Sequence, residues 1–192
     1  MSLSTEQQDE IRPAVWSGIH SRKQLVAIVT EELYAPGDID ADDATAFIDA
    51  ELTRKSVAEA AWSAETDCDR LTTIFARLDA SGLAAVENAG LTMSDGFEDV
   101  DALCAARGGP GPQCFGYCFF HGQDLAHAQD GEGLHLAFGA FSGDAAETVA
   151  VGRLVADTAT EHGLQVSWDG TPGQRILLVP FRWRKRGVPR DA

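Results

Sequence analysis

Two strand-like runs rich in aromatic residues, joined by a short polar segment, constrain the fold of this chain more than any other feature. The runs cover residues 112–120 and 134–141. In the second run Leu134, Leu136 and Phe138 alternate with smaller or polar residues, a spacing typical of a strand with one buried face. The chain is therefore expected to build a β-sheet around this pair of runs.

Pairing the two runs predicts a register. If Cys118 shares the buried face, its antiparallel partner is Phe138, and Phe120 then faces Leu136. A slip of one residue would mix apolar and polar side chains on the same face. The sequence therefore favours this one alignment of the two strands.

The same register sets His121 opposite His135, with Asp124 just beyond the end of the strand. Two imidazoles and a carboxylate can hold a divalent ion such as zinc, and no other cofactor is expected. Alternatively, His121 is a general base in a hydrolytic enzyme, with its tautomer fixed by Asp124. In the structural interpretation Asp124 caps a short helix through Ala128, and Gln123 satisfies the loop backbone.

A second and weaker candidate site combines Trp168, Asp169 and Arg175. Asp169 precedes a glycine, and Asp-Gly is a strong turn signal, so a structural role is favoured. No nucleophile elbow, zinc-protease helix or dinucleotide-binding fingerprint occurs in the chain. The motifs therefore assign no reaction.

Helical periodicity fills the first third of the chain. Ser21 and Asp40 can cap two helices in an N-terminal helical segment, residues 1–62. A third helix is predicted over Thr66–Ser81 by a capping-box pattern and by apolar residues at helical spacing. These apolar residues are Leu71, Ile74, Phe75 and Leu78.

Helices and strands mix along residues 63–185, where two long helices accompany about four to five short strands. Short connections between neighbouring strands favour antiparallel pairing. The predicted fold is therefore α+β, with a mainly antiparallel sheet covered by helices on one face. Residues 186–192 form a basic tail that is expected to be solvated.

The net charge of −15 and a pI of about 4.5 restrict the partners of the protein. Phosphate is repelled by a strongly acidic surface, so no nucleic-acid partner is expected. No apolar run is long enough to cross a membrane and no secretory signal is visible, so the protein is expected in the cytoplasm without a membrane partner. A basic protein face would fit this charge.

The four cysteines are expected to be reduced thiols. Cys114, Cys118 and His121 have a spacing that suggests zinc, but a strand would hold the two sulfurs about 13 Å apart. Two thiolates on one zinc ion lie much closer, because each Zn–S bond is about 2.3 Å. The strand and zinc interpretations exclude each other, and the strand is favoured.

Four short motifs resemble a bacterial family of domains of unknown function. They begin at Thr66 (TDCDRL), His121 (HGQD), Leu136 (LAFG) and Trp168 (WDG), in the order expected for the family. Many members of that family carry a Cys-x-x-Cys-Gly segment, which the resemblance aligns with residues 91–96, where this chain has no cysteine. The resemblance thus implies no metal or redox role and no established activity.

Three functions stay open at this stage. The preferred hypothesis is a non-enzymatic binding or regulatory module with a protein partner, because the surface is acidic and catalytic signatures are absent from the sequence. The second is a metal-dependent or acid–base enzyme that uses His121, His135 and Asp124. The third is a structural or oligomeric protein in which His121 contributes only to stability.

Overall fold

The computed structural model describes residues 3–35 and 37–188. The chain forms two compact units, one of Met1–Thr66 with Arg184–Ala192 and the other of Asp67–Trp183. The predicted division into residues 1–62, 63–185 and 186–192 stays a prediction.

The first unit is helical. Its helices are α1 (Thr5–Ser17), α2 (Arg22–Ala27), which continues into a π-helical turn (Ile28–Leu33), and α3 (Ala41–Glu59). Ser21 and Asp40 cap α2 and α3 through their side-chain oxygens, as the sequence predicts. Buried apolar side chains from all three helices, including Ile11, Leu25 and Ile48, form its core.

The last described residues of the chain pack against α3 in this same unit. The buried ammonium of Lys55 donates to the carbonyl of Lys185 over 2.8 Å, and the amide of Gly187 donates to Glu59 Oε1 over 2.9 Å. Gly18, with a φ of +71°, leaves the space in which the Lys185 carbonyl lies. Residues 185 and 187 therefore form hydrogen bonds with α3, while Arg190 lies outside the described residues.

The second unit is an α+β domain with five strands, which confirms the predicted fold class. The sheet order is β1-β2-β3-β5-β4, with β1 and β2 parallel and the other three pairs antiparallel. Its elements are α4 (Asp67–Ala80), β1 (Leu83–Val86), α5 (Met93–Ala106), β2 (Gly116–Phe119), α6 (Gly122–Gln129), β3 (Leu134–Ala140), α7 (Ala145–Glu161), β4 (Val166–Ser167) and β5 (Ile176–Leu178).

The long helices α4 and α7 contact each other and cover one face of the sheet, on which α7 packs against Phe138 of β3. Helix α5 lies on the opposite face, where Gly96 approaches the ring of Phe119 so closely that a Cβ would overlap it. Both helix layers are needed because the strand β2 buries residues on both of its faces.

The predicted apolar face of α4 is buried. Leu71, Ile74, Phe75 and Leu78 are all 3% exposed or less. The Phe75 ring meets the Phe120 ring edge-on with a centroid distance of 5.8 Å. This helix is therefore a core element of the second unit.

The first aromatic run is a shorter strand than the sequence predicts. Strand β2 begins at Gly116, and Cys114 precedes it in a tight turn, where its amide and carbonyl both bond to Gly111. Cys114 packs beside Phe119, whereas Cys118 lies on the other face of the sheet, opposite Phe138. The turn removes Cys114 from the ladder because its backbone groups are already paired.

We expect all four cysteines to be free thiols. They are buried and unlinked, and burial in an apolar environment disfavours the reactive thiolate. Thiol titration of the unfolded protein, without prior reduction, should count four groups. A count of two would contradict the structure around at least one pair of cysteines.

Candidate functional site

The predicted site lies where two parallel strands end. The carboxyl ends of β1 and β2 meet at one edge of the sheet, and helices α5 and α6 begin just beyond them. In open α/β sheets this edge is where ligands commonly bind. The geometry of His121 and its neighbours at this edge therefore decides what the site can do.

The first amides of α6 are bonded to the loop that follows β1. The Gly122 amide donates to the Gly90 carbonyl over 3.0 Å, and the Gln123 amide donates to the Leu91 carbonyl over 3.2 Å. A helix N-terminus binds anions through amides that lack partners. In α6 these amides hold the neighbouring loop instead.

His121 and Asp124 form a capping box at the start of α6. The Asp124 amide donates to His121 Nδ1 over 3.4 Å, and the His121 amide donates to Asp124 Oδ2 over 3.2 Å. The structural interpretation is thus correct about the helix, but His121 is the capping residue and Asp124 is the third residue of α6. The helix also separates β2 from β3.

The other oxygen of Asp124 binds Arg175, the residue just before β5. Arg175 Nη1 lies 2.8 Å from Asp124 Oδ1, and the Asp124 side chain is 1% exposed while that of Arg175 is 36% exposed. A buried carboxylate is stabilised by such charge-assisted hydrogen bonds. Both Asp124 oxygens are therefore occupied by partners within the chain.

The hydrogen bonds of His121 fit one neutral tautomer. Nδ1 accepts from the Asp124 amide, so the proton resides on Nε2, which lies 3.3 Å from Asp124 Oδ2. A general base needs a lone pair that can reach substrate. The lone pair of His121, on Nδ1, is directed at the backbone amide of Asp124. The His121 side chain is also only 4% exposed.

His135 does not pair with His121 in the sheet. The register of Cys118 with Phe138 is correct, but β2 ends at Phe119, and His135 is opposite Leu177 of β5. The chain leaves the ladder before His121 because that residue caps α6. The two histidines therefore form no pair in the sheet, and the proximity of their rings stays a prediction.

Both histidines nevertheless lie within the field of the same ion pair. Burial lowers the pKa of His121, with Asp124 raising it and Arg175 lowering it. Burial also lowers the pKa of His135, followed by Arg175, while Asp124 acts in the opposite direction. Desolvation therefore outweighs the carboxylate at both rings and favours the neutral form.

No metal site is formed by the predicted ligands. Within residues 3–35 and 37–188, no group of three or more His, Cys, Asp or Glu side chains is arranged to hold a metal ion. Instead, His121 and Asp124 bind each other, and Asp124 also binds Arg175.

The remaining candidate residues do not form one common site. Gln123 has an exposed side chain. Trp168 donates to the carbonyls of Thr171 and Gln174, and Asp169 accepts the Thr171 amide and hydroxyl, so both residues order a turn. Arg175 leaves this turn and joins the His121 site.

A second capping box, which was not predicted from the sequence, starts α5 beside the first. Asp95 Oδ2 accepts hydrogen bonds from the amides of Thr92 and Leu91, which lower the pKa of its carboxyl group. The negative charge of Asp95 also acts to raise the pKa of His121. Thr92 and Asp95 have the same spacing as His121 and Asp124, and this spacing could have predicted the capping box from the sequence.

We expect the protein to lose stability in mild acid through these histidines. Their folded-state pKa values lie below the unfolded value of about 6.5, so the unfolded state binds protons first. The contribution of these two histidines to the free energy of unfolding should be constant above that pH and fall as the pH drops towards the folded values. Urea unfolding at about pH 7.5 and about pH 5 measures this difference.

Replacing His121 with Gln should reduce the acid-dependent loss, whereas His127→Gln, which changes an exposed ring on α6, serves as the control. An equal pH dependence in the His121 variant and the wild type would contradict the assignment to His121.

A protein-family model matches residues 2–187, which include both units. The chain belongs to the family DUF6891, a domain of unknown function. This confirms the resemblance seen in the sequence, but DUF6891 membership supplies no activity. No curated protein and no solved structure matches the chain significantly. None of the helices in the described part of the chain is both long and apolar enough to cross a membrane.

Proposed function

We propose that this DUF6891 protein is a protein-binding module whose partner presents a basic face. The carrying observation is an aromatic strip, defined as Phe97, Tyr117 and Phe141, on the sheet face that bears α5. Tyr117 lies between the other two, with ring centroids 5.6 Å from Phe97 and 5.5 Å from Phe141. Phe97 is 40% exposed, and the other two rings are half-buried.

Aromatic rings of this kind are common anchors in protein interfaces. They supply a large contact area with few rotatable bonds, and they concentrate binding energy when a partner desolvates them. The strip also packs against the core, because the Phe97 ring contacts the fully buried Phe119 ring with a centroid distance of 5.4 Å. Binding would therefore require little ordering of side chains.

The charge around the strip favours a basic partner. Residues 67–183 contain sixteen acidic and six basic residues, a net charge of −10 with histidine neutral, and no lysine. Helix α5 carries four acidic residues, and Arg107 after its end is paired with Asp79. Complementary charge speeds association and selects partners, and it disfavours nucleic acid.

The other two functions are less well supported. An enzyme that uses His121 and Asp124 would first have to break the hydrogen bonds that start α6. A purely structural role explains His121, but it leaves the exposed Phe97 ring without a purpose.

The test is an affinity capture with three versions of the purified protein. The wild type and Val57→Ser, which changes a 71% exposed side chain on α3, should retain the same basic protein, and Phe97→Ser should not. Calorimetry with that purified partner should show at least about tenfold weaker binding for Phe97→Ser.

Circular dichroism must first show that each variant is folded. Equal binding by Phe97→Ser, or the retention of acidic proteins only, would overturn the proposal.

A further inference from the structure

We infer that the anchor of the partner is an arginine side chain, which stacks on the Tyr117 ring beside Phe97 and pairs with the carboxylate of Asp101. This inference rests on the proposed function and names the chemistry that the aromatic strip recognises. Three observations support it: the placement of Asp101, the space cleared by Gly139, and the use of the same combination elsewhere in the chain.

Asp101 is placed beside the strip by the helix. It follows Phe97 by four residues on α5, so the two side chains lie on the same helix face. The pKa of the Tyr117 hydroxyl is raised first by burial and then by the negative charge of Asp101. The carboxylate is therefore close enough to act on the ring that would receive the cation.

Asp101 is also available. Its side chain is exposed, and among the described residues it forms no ion pair or hydrogen bond. Arg107, the basic residue that follows α5, donates hydrogen bonds to Asp79 and to the carbonyl of Leu83. A cation from outside would thus meet an acidic group whose charge is not yet neutralised.

The Tyr117 ring packs over a glycine of the neighbouring strand. Tyr117 pairs with Gly139 across β2 and β3, and a Cβ at Gly139 would overlap the tyrosine hydroxyl and ring. The ring therefore lies across the bare backbone of β3, and it is half-buried there. Such a fixed aromatic face suits a planar cation.

Arginine fits this arrangement better than lysine does. A guanidinium can stack on an aromatic face while its N–H groups reach a carboxylate, and it is more weakly hydrated than an ammonium. The first unit shows the combination within the chain. Arg12 lies over the Phe47 ring, 5.8 Å from its centroid, while Nη1 binds Asp9 Oδ1 at 2.5 Å.

The experiment uses blocked tripeptides of the form Gly-X-Gly as probes, titrated into the full chain with isotope-labelled aromatic residues. X is arginine, lysine or citrulline, which keeps the shape of arginine without its charge. We expect saturable shifts of the Phe97 and Tyr117 ring signals with arginine, weaker shifts with lysine and none with citrulline.

Two matched variants assign the charge. Asp101→Asn should weaken arginine binding about fivefold, as expected for the loss of one exposed ionic contact. Asp157→Asn removes the same charge from an exposed position on α7, the helix on the other sheet face, and should leave binding unchanged. Both substitutions are on helix surfaces and keep the size of the side chain.

Three results would overturn the inference: equal shifts with citrulline, no ring shifts with any peptide, or equal effects of the two variants. If the captured partner still depends on Phe97 in any of these cases, the proposed function stands and only the arginine anchor fails. If the dependence on Phe97 is also lost, both fail.

Discussion

Replacing Phe75 with Ala is expected to lower the free energy of unfolding by about 3–5 kcal/mol, the usual cost of removing a buried aromatic ring. Phe75 is 3% exposed, and its ring meets Phe120 edge-on. The loss has two parts. The variant buries less apolar area on folding, and its folded state keeps a cavity where the ring was. This is a large share of the stability of an ordinary domain.

Urea or guanidinium unfolding, followed by circular dichroism, measures the loss. Phe115→Ala is a matched control, because the same change is made at a ring that is 39% exposed. We expect the control to cost clearly less. A loss below about 1 kcal/mol for Phe75→Ala would show that the α4 face is not part of the core.

Replacing Asp124 with Ala is expected to cost about 2–4 kcal/mol. The change removes the acceptor of the His121 amide in the capping box and the partner of Arg175. A lost cap costs about 1 kcal/mol, and a lost hydrogen bond to a charged group costs about 1.5–3 kcal/mol. The Arg175 side chain is 36% exposed, so water replaces part of its interaction.

Glu132→Ala is the control for this second experiment. Glu132 pairs with His127 at 2.6 Å, but both side chains are more than half exposed, and such pairs contribute about 1 kcal/mol or less. Equal losses for the two variants would show that the buried ion pair does not hold α6. Far-ultraviolet circular dichroism would also show whether helix content falls in the Asp124 variant only.

Local patterns predicted the parts of the fold that local forces determine. The α4 face follows from apolar spacing, and the caps at Ser21 and Asp40 follow from side chains that bond within three residues. The β2–β3 register follows from matching the apolar faces of two neighbouring strands. In each case the residues that decide the structure are close along the chain or alternate simply.

The missed features depend on distant residues or on an uncommon cap. Helix α6 has eight residues, begins with glycine and uses histidine as its cap, so its signal is weak. The pairing of Asp124 with Arg175 joins residues 51 positions apart. Spacing within the sequence could not show that Arg175, grouped there with Trp168 and Asp169, completes the His121 site.

The contact between Lys185 and Lys55 has a consequence for synthesis of the protein on the ribosome. The N-terminal helices emerge first, but the segment that the Lys55 ammonium binds is made only after the 117 residues of Asp67–Trp183. At about 5–20 residues per second, this delay is roughly 6–25 s. During that interval Lys55 lacks the carbonyl that it binds in the finished chain, so the N-terminal unit is completed only after the second unit has been synthesised.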